Sequence, residues 1–279
     1  MTTFTQHLDA ICDTNQTLLC VGLDPDPTLL PIKDVAEFNK AIVDATHDLV
    51  CAYKPNIAFY EALGLPVLEA LQKTVQHIRD VNPSIIILID AKRGDIGNTS
   101  AAYAKALFEV WDFDAATVSP YLGSDGLQPF LEYKNKGVFI LCRTSNPGAK
   151  DFQDLVVVPK ESRENARPLY EMVAISALEW NKSGNVGLVL GATYPEELKA
   201  VRDICPDLPF LIPGVGSQGG QLEQAVQLGV NALGRRALIN SSRGVIYASN
   251  GVDFQEAARR AASNLRNSIN NALRPEGLT

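Results

Sequence analysis

Short apolar runs alternate with amphipathic stretches along almost the whole chain. The first four runs are LLCVGLD (18–24), LVCAYKPN (49–56), SIIILIDAK (84–92) and AATVSPYL (115–122). Four more follow: GVFILCRTS (137–145), NVGLVLGA (185–192), PFLIPGVG (209–216) and NALGRRAL (231–238). Runs this short and continuous predict strands buried on both faces. Between them, segments such as PVLEALQKTVQHIRD (66–80) and GGQLEQAVQLG (219–229) carry helical spacing. A helix is predicted at about 2–14 and another at about 253–273, whose basic residues read as a solvated face.

Strand–helix alternation fits either an open doubly wound sheet or a closed (β/α)8 TIM barrel. The polar positions decide for the barrel. Every strand but the sixth starts apolar and ends near a polar group or a glycine. These ends read Asp24, Lys54, Asp90 with Lys92, Ser119, Ser145, Gly214 and Arg235. A barrel rings all of its strand ends around one mouth, whereas an open sheet gathers only those near its switch point. With no linker or low-complexity segment, residues 1–279 are expected to form one α/β barrel domain. The stretch from Asn146 to Arg167 lacks clear periodicity and reads either as a lid or as a surface excursion.

Composition narrows the function classes. The net charge of −7 argues against a nucleic-acid partner, because phosphate backbones select basic surfaces. No apolar run approaches a membrane span, and the N-terminus lacks a secretory pattern, so a cytoplasmic location is expected. The five cysteines are widely spaced without a C-x-x-C pair and read as reduced and structural. Three histidines, each in a helical stretch, make a His-based triad or a His-rich metal site improbable.

The densest chemistry lies in IIILIDAKRGDIGNT (85–99). Residues two apart on a strand share a side, so Asp90 and Lys92 are expected to project together into the mouth. Gly94 permits a turn that places Asp95 just beyond. A lysine between carboxylates stays charged and can donate a proton or stabilise negative charge. Lys54 ends the second strand, and burying so many charges is expensive unless they are matched or used. At the other side of the mouth, PGVGSQGG (213–220) precedes a predicted helix, a combination suited to an anion. This loop, with its Pro213, Gly214 and Gly216, forms the candidate phosphate site together with Gly234 and Arg235 at the expected end of strand eight. Arg236 is the weaker candidate of the arginine pair, since alternation turns it away.

These segments together resemble the orotidine 5′-phosphate decarboxylase family. Its D-x-K-x-x-D-I signature stands here as Asp90, Lys92, Asp95 and Ile96, alongside GLDPD, YKPN, PGVGSQGG and a following GR. The likeness spans strand ends from residue 20 to 236. The length and the RTSNPGA segment resemble the larger, type 2 branch. The resemblance implies decarboxylation of orotidine 5′-phosphate to uridine 5′-phosphate, with neither metal nor organic cofactor. It implies Lys92 as proton donor to C6, Asp90 beside the substrate carboxylate, and Lys54 linking the charges to the ribose. It implies a homodimer in which Asp95 and Thr99 enter the partner subunit's site. Asp24 is expected at the ribose hydroxyls, Ser145 at the pyrimidine edge, and Gly216, Gln218, Gly234 and Arg235 at the phosphate. Around Ser145 the chain departs from the family's commoner S-H-P-G form. Two other functions share these features: a Mg²⁺-dependent enzyme acting on sugar phosphates within the same barrel superfamily, and a non-catalytic nucleotide-binding barrel.

Overall fold

The computed structural model of the protein describes residues 2–158, 166–215 and 219–273. The order opens with α1 (Phe4–Asn15), β1 (Leu19–Leu23), α2 (Val35–Thr46), β2 (Ala52–Pro55), α3 (Ile57–Glu61) and α4 (Leu65–Val81). It continues with β3 (Ile86–Arg93), α5 (Gly97–Lys105), β4 (Ala115–Val118), α6 (Ser124–Leu131), β5 (Gly137–Arg143) and α7 (Leu169–Trp180). It ends with β6 (Val186–Leu190), α8 (Pro195–Ile204), β7 (Phe210–Ile212), α9 (Gly219–Gly229), β8 (Ala237–Ser241), α10 (Arg243–Ile246) and α11 (Phe254–Ala272). The eight strands close into a parallel barrel in which each pairs with its sequence neighbours and β8 pairs with β1. Most strand residues are fully buried, as both faces are covered. Among the described residues no helix is long and apolar enough to cross a membrane.

α1 closes the floor of the barrel, the end from which the strands start. Its N-terminus is a capping box: the Thr3 hydroxyl accepts from the Gln6 N–H, and the Gln6 side chain accepts from the Thr3 N–H. Phe4 packs edge-on against Phe139 and lies so close to Gly137 that a Cβ there would meet its ring at 2.6 Å. Asp9 of α1 receives the guanidinium of Arg236 at 2.8 Å, and Asp13 that of Arg235 at 2.9 Å.

Those two ion pairs overturn the placement expected for strand eight. NALGRR (231–236) is a turn on the floor, and the strand begins only at Ala237. The Asn231 side-chain carbonyl accepts from the N–H groups of Leu233 and Arg235, at 3.1 and 3.0 Å. Gly234 and Arg236 both take left-handed backbone, φ 69° and 66°. An Asn anchoring its own loop, followed by two left-handed residues, is turn chemistry that the flanking apolar residues disguise. Gly234 and Arg235 therefore sit at the end of the barrel opposite the mouth.

The stretch after β5 is an ordered excursion where it is described. It forms a 3-10 turn (Pro147–Asp151) and a short antiparallel ribbon, Val156–Val157 with Arg167–Pro168. Its root is stitched to β5. The Thr144 N–H donates to Gln153 Oε1 at 2.8 Å, and Arg143 Nε lies 2.8 Å from Asp154 Oδ1. The Arg143 guanidinium also stacks 4.1 Å from the centre of the Tyr194 ring, tying the exits of β5 and β6 together.

Candidate active site

The site is built around an irregularity in β3. Its pairing with β4 is regular up to Ile89 opposite Ala116 and resumes only at Arg93 opposite Val118. The intervening residues bulge, and Lys92 takes φ 46°, the left-handed region. Simple alternation was expected to bring Asp90 and Lys92 to one side, but a bulge does it instead. Lys92 Nζ donates to both Asp90 carboxylate oxygens, at 2.6 and 2.8 Å. The bulge takes the N–H groups of Ala91 and Lys92 off the ladder, and both donate to Thr117 Oγ1, at 3.0 and 2.9 Å. The same hydroxyl donates to Asp90 Oδ1 at 2.8 Å.

Lys54 enters from β2, only 4% exposed. Its Nζ lies 3.7 Å from Asp90 Oδ2 and 4.0 Å from Asp24 Oδ1, at the exit of β1. Charges thus alternate across the mouth: Asp24, Lys54, Asp90, Lys92. Asn56, just past β2, adds a hydrogen bond to Asp90 Oδ2 at 3.3 Å. Burial alone would raise the Asp90 carboxyl. The charges of Lys54 and Lys92, with hydrogen bonds from Lys92 and Thr117, outweigh it and hold the group below its ordinary value. Beneath the array, burial pushes the Cys20 thiol up to about 12, so it stays neutral despite Lys54 nearby.

Among the described residues, Asp95 makes no hydrogen bond or ion pair with this array. Its carboxylate accepts the neighbouring Ile96 N–H at 2.8 Å, and Thr99 lies exposed in the first turn of α5. Exposed apolar groups flank them, among them Ile96, Tyr121 and Leu122.

Across the mouth, Pro213 and Gly214 follow β7, with Gly214 at φ 86°, and the Pro213 carbonyl accepts the Ala192 N–H at 3.1 Å. Ser145 rests against both loops. A Cβ on Gly191 would come within 2.9 Å of the Ser145 backbone, and one on Gly214 would touch its hydroxyl at 3.9 Å. Gly216 and Gln218 lie outside the described residues. Gly234 and Arg235 are not here, for the reason given above. The arginine at the end of β8 is Arg243, exposed and first in α10. Gly22 of β1 lets this exit pack closely, since a Cβ there would collide with Ser242. The signal for Arg243 was present in ALIN followed by SSRG, but the preceding NALGRR drew the strand assignment away. Thr117 left no such signal, because a β-branched residue in a strand needs no further explanation.

Alternating lysines and carboxylates at the C-terminal mouth, where this architecture places its chemistry, make the chain a (β/α)8-barrel enzyme. Residues 17–261 match the family described as "Orotidine 5'-phosphate decarboxylase / HUMPS family". An orotidine 5′-phosphate decarboxylase of Dehalococcoides mccartyi is 50% identical over 268 residues, covering 96% of this chain and 97% of that one. One from Cupriavidus necator is 48% identical over 275 residues, covering 96% and 98%. A solved OMP decarboxylase of Leishmania donovani superposes with a TM-score of 0.84 at 40% identity, covering 97% and 99%. The chain belongs to the orotidine 5′-phosphate decarboxylase family.

Proposed function

We propose that Lys92 delivers the proton to C6 of the pyrimidine as this enzyme decarboxylates orotidine 5′-phosphate to uridine 5′-phosphate and CO₂, in UMP biosynthesis, with no metal or organic cofactor. The bond from C6 to the carboxylate breaks, its electron pair stays on C6, and an Nζ–H of Lys92 replaces the lost carbon. Water then reprotonates the lysine. The observation that carries this reading is the Lys54–Asp90–Lys92 array, held at hydrogen-bond and ion-pair distance in one mouth.

The physical demand explains the array. The departing CO₂ leaves charge on C6 with no adjacent carbonyl to absorb it, and the catalyst must supply roughly 20 kcal/mol. One lysine–anion contact at 4 Å contributes only about 4 kcal/mol at an effective dielectric of 20. A single pair is insufficient, so fixed charges and remote binding must act together. Asp90 sits beside the substrate carboxylate, and Lys54 connects the array to the ribose. Asp24, whose Oδ1 is buried without a hydrogen-bond partner among the described residues, accepts from a ribose hydroxyl. Ser145 meets the pyrimidine edge. Pro213, Gly214, Gly216 and Gln218 hold the phosphate, with Arg243 in the role first expected of Gly234 and Arg235. Asp95 and Thr99 complete the site of a partner subunit in a homodimer, in keeping with the lack of any hydrogen bond or ion pair between Asp95 and Lys92 of one chain among the described residues. Residues 1–279 act as one barrel domain. Five buried free thiols suit a reducing cytoplasm.

The test is loss of orotidine 5′-phosphate ultraviolet absorbance with EDTA present. Wild type should turn over and Lys92→Ala should lose nearly all activity while still folding. Turnover that requires added Mg²⁺, or that survives in Lys92→Ala, would overturn the mechanism.

A further inference from the structure

We infer that Thr117 is a positioning residue for the reaction: its one hydroxyl holds both the Asp90 carboxylate and the strained backbone of Lys92. The inference rests on the reading that Asp90 and Lys92 do the chemistry.

A threonine hydroxyl has one proton and two lone pairs. At Thr117, 1% exposed, all three are used: the proton goes to Asp90 Oδ1, and the lone pairs receive the N–H groups of Ala91 and Lys92. Those two donors are the ones the β3 bulge removes from the ladder. A non-glycine residue in left-handed backbone persists only where its surroundings over-determine it. Here Thr117 supplies the anchor from the neighbouring strand. Without it, the buried Ala91 N–H and the part-buried Lys92 N–H would lose their acceptor, and relaxing the bulge would swing Lys92 away from the reacting carbon. Asp90 would also lose a donor that favours its charged form. The groups facing Asp90 are Lys54 of the second strand, Asn56 just past it, Lys92 on its own strand and Thr117 from the fourth. Asp24 and Cys20 of the first strand lie beyond Lys54. Asn56 also reaches the Asp90 carboxylate and pairs with the Asp90 backbone, whereas Thr117 joins that carboxylate to the backbone of Lys92.

The experiment compares Thr117→Val, which keeps the shape, with Thr117→Ser, which keeps the hydroxyl, and with Lys92→Ala and wild type as controls. A hydrogen bond to a charged group is worth about tenfold or more in an equilibrium. Thr117→Val is therefore expected to lower kcat about tenfold or more while UMP affinity stays within about threefold. The acid limb of its kcat–pH profile should move to higher pH, and Thr117→Ser should restore both kcat and the limb. A Thr117→Val enzyme with kcat and pH profile within about twofold of wild type would overturn the inference. So would equal losses in the valine and serine variants, which would mean packing alone. Should the valine variant not fold, Thr117→Cys, a weak donor of similar size, is read by the same criteria. Activity surviving in Lys92→Ala would instead remove the underlying mechanism, so the two failures are distinguishable.

Discussion

Asp90 keeps its charge in a place where burial opposes it, and the sign of that shift has a measurable consequence. A carboxyl whose folded pKa lies below its ordinary 3.8 contributes stability that is fully present above that value. The contribution is lost as pH falls through the lower, folded value. The stability gap between wild type and Asp90→Asn should therefore be constant near neutrality and shrink below about pH 3.8. Urea unfolding at a series of pH values checks this, and a gap unchanged at the acid end would mean that Asp90 is not held ionised. The identities of Asp90, Lys92 and Lys54 were readable from the sequence, because charges at the ends of apolar runs are conspicuous. The bulge that makes them meet was not. A register shift is a relation between β3 and β4, and neither strand shows it alone.

Among the elements, strand eight changes the functional reading most. Arg235 faces the floor and pairs with Asp13, both about half-exposed, a contact worth about 0.5 kcal/mol or less. Arg243 emerges at the mouth beside the exit of β1. Arg235→Ala should leave kcat and KM unchanged, whereas Arg243→Ala should lower kcat/KM about tenfold to a hundredfold, as loss of a charge-assisted phosphate contact does. Steady-state kinetics on the two variants checks the assignment, and the reverse pattern would return the phosphate to Arg235. The excursion after β5 is a second element whose form its local sequence left open. It is ordered at its root because Arg143, 1% exposed, reaches across to Asp154 and Tyr194. No periodicity announces a segment held by side chains from its neighbours rather than by its own apolar face.

At the scale of the whole molecule, the proposed dimer makes each site depend on two chains. Asp95→Ala and Lys92→Ala homodimers should both be nearly inactive. After unfolding and refolding together, half of the dimers are mixed and each mixed dimer holds one intact site, so about a quarter of wild-type activity should return. No recovery from properly reassembled dimers would place Asp95 and Lys92 in the same subunit's site. The amino-acid sequence by itself determined the barrel, the mouth that carries its chemistry and the charged cluster after strand three. Alternation, strand-end polarity and glycine loops are properties of neighbouring residues, and they survive without knowledge of packing. Only the tertiary structure decided that 231–236 is a floor turn, that Arg243 rather than Arg235 follows strand eight at the mouth, and that Thr117 supports Asp90 and Lys92. Each of those depends on register and on contacts between strands far apart in the chain, where burial and hydrogen-bond satisfaction choose among conformations that local preference leaves nearly equal.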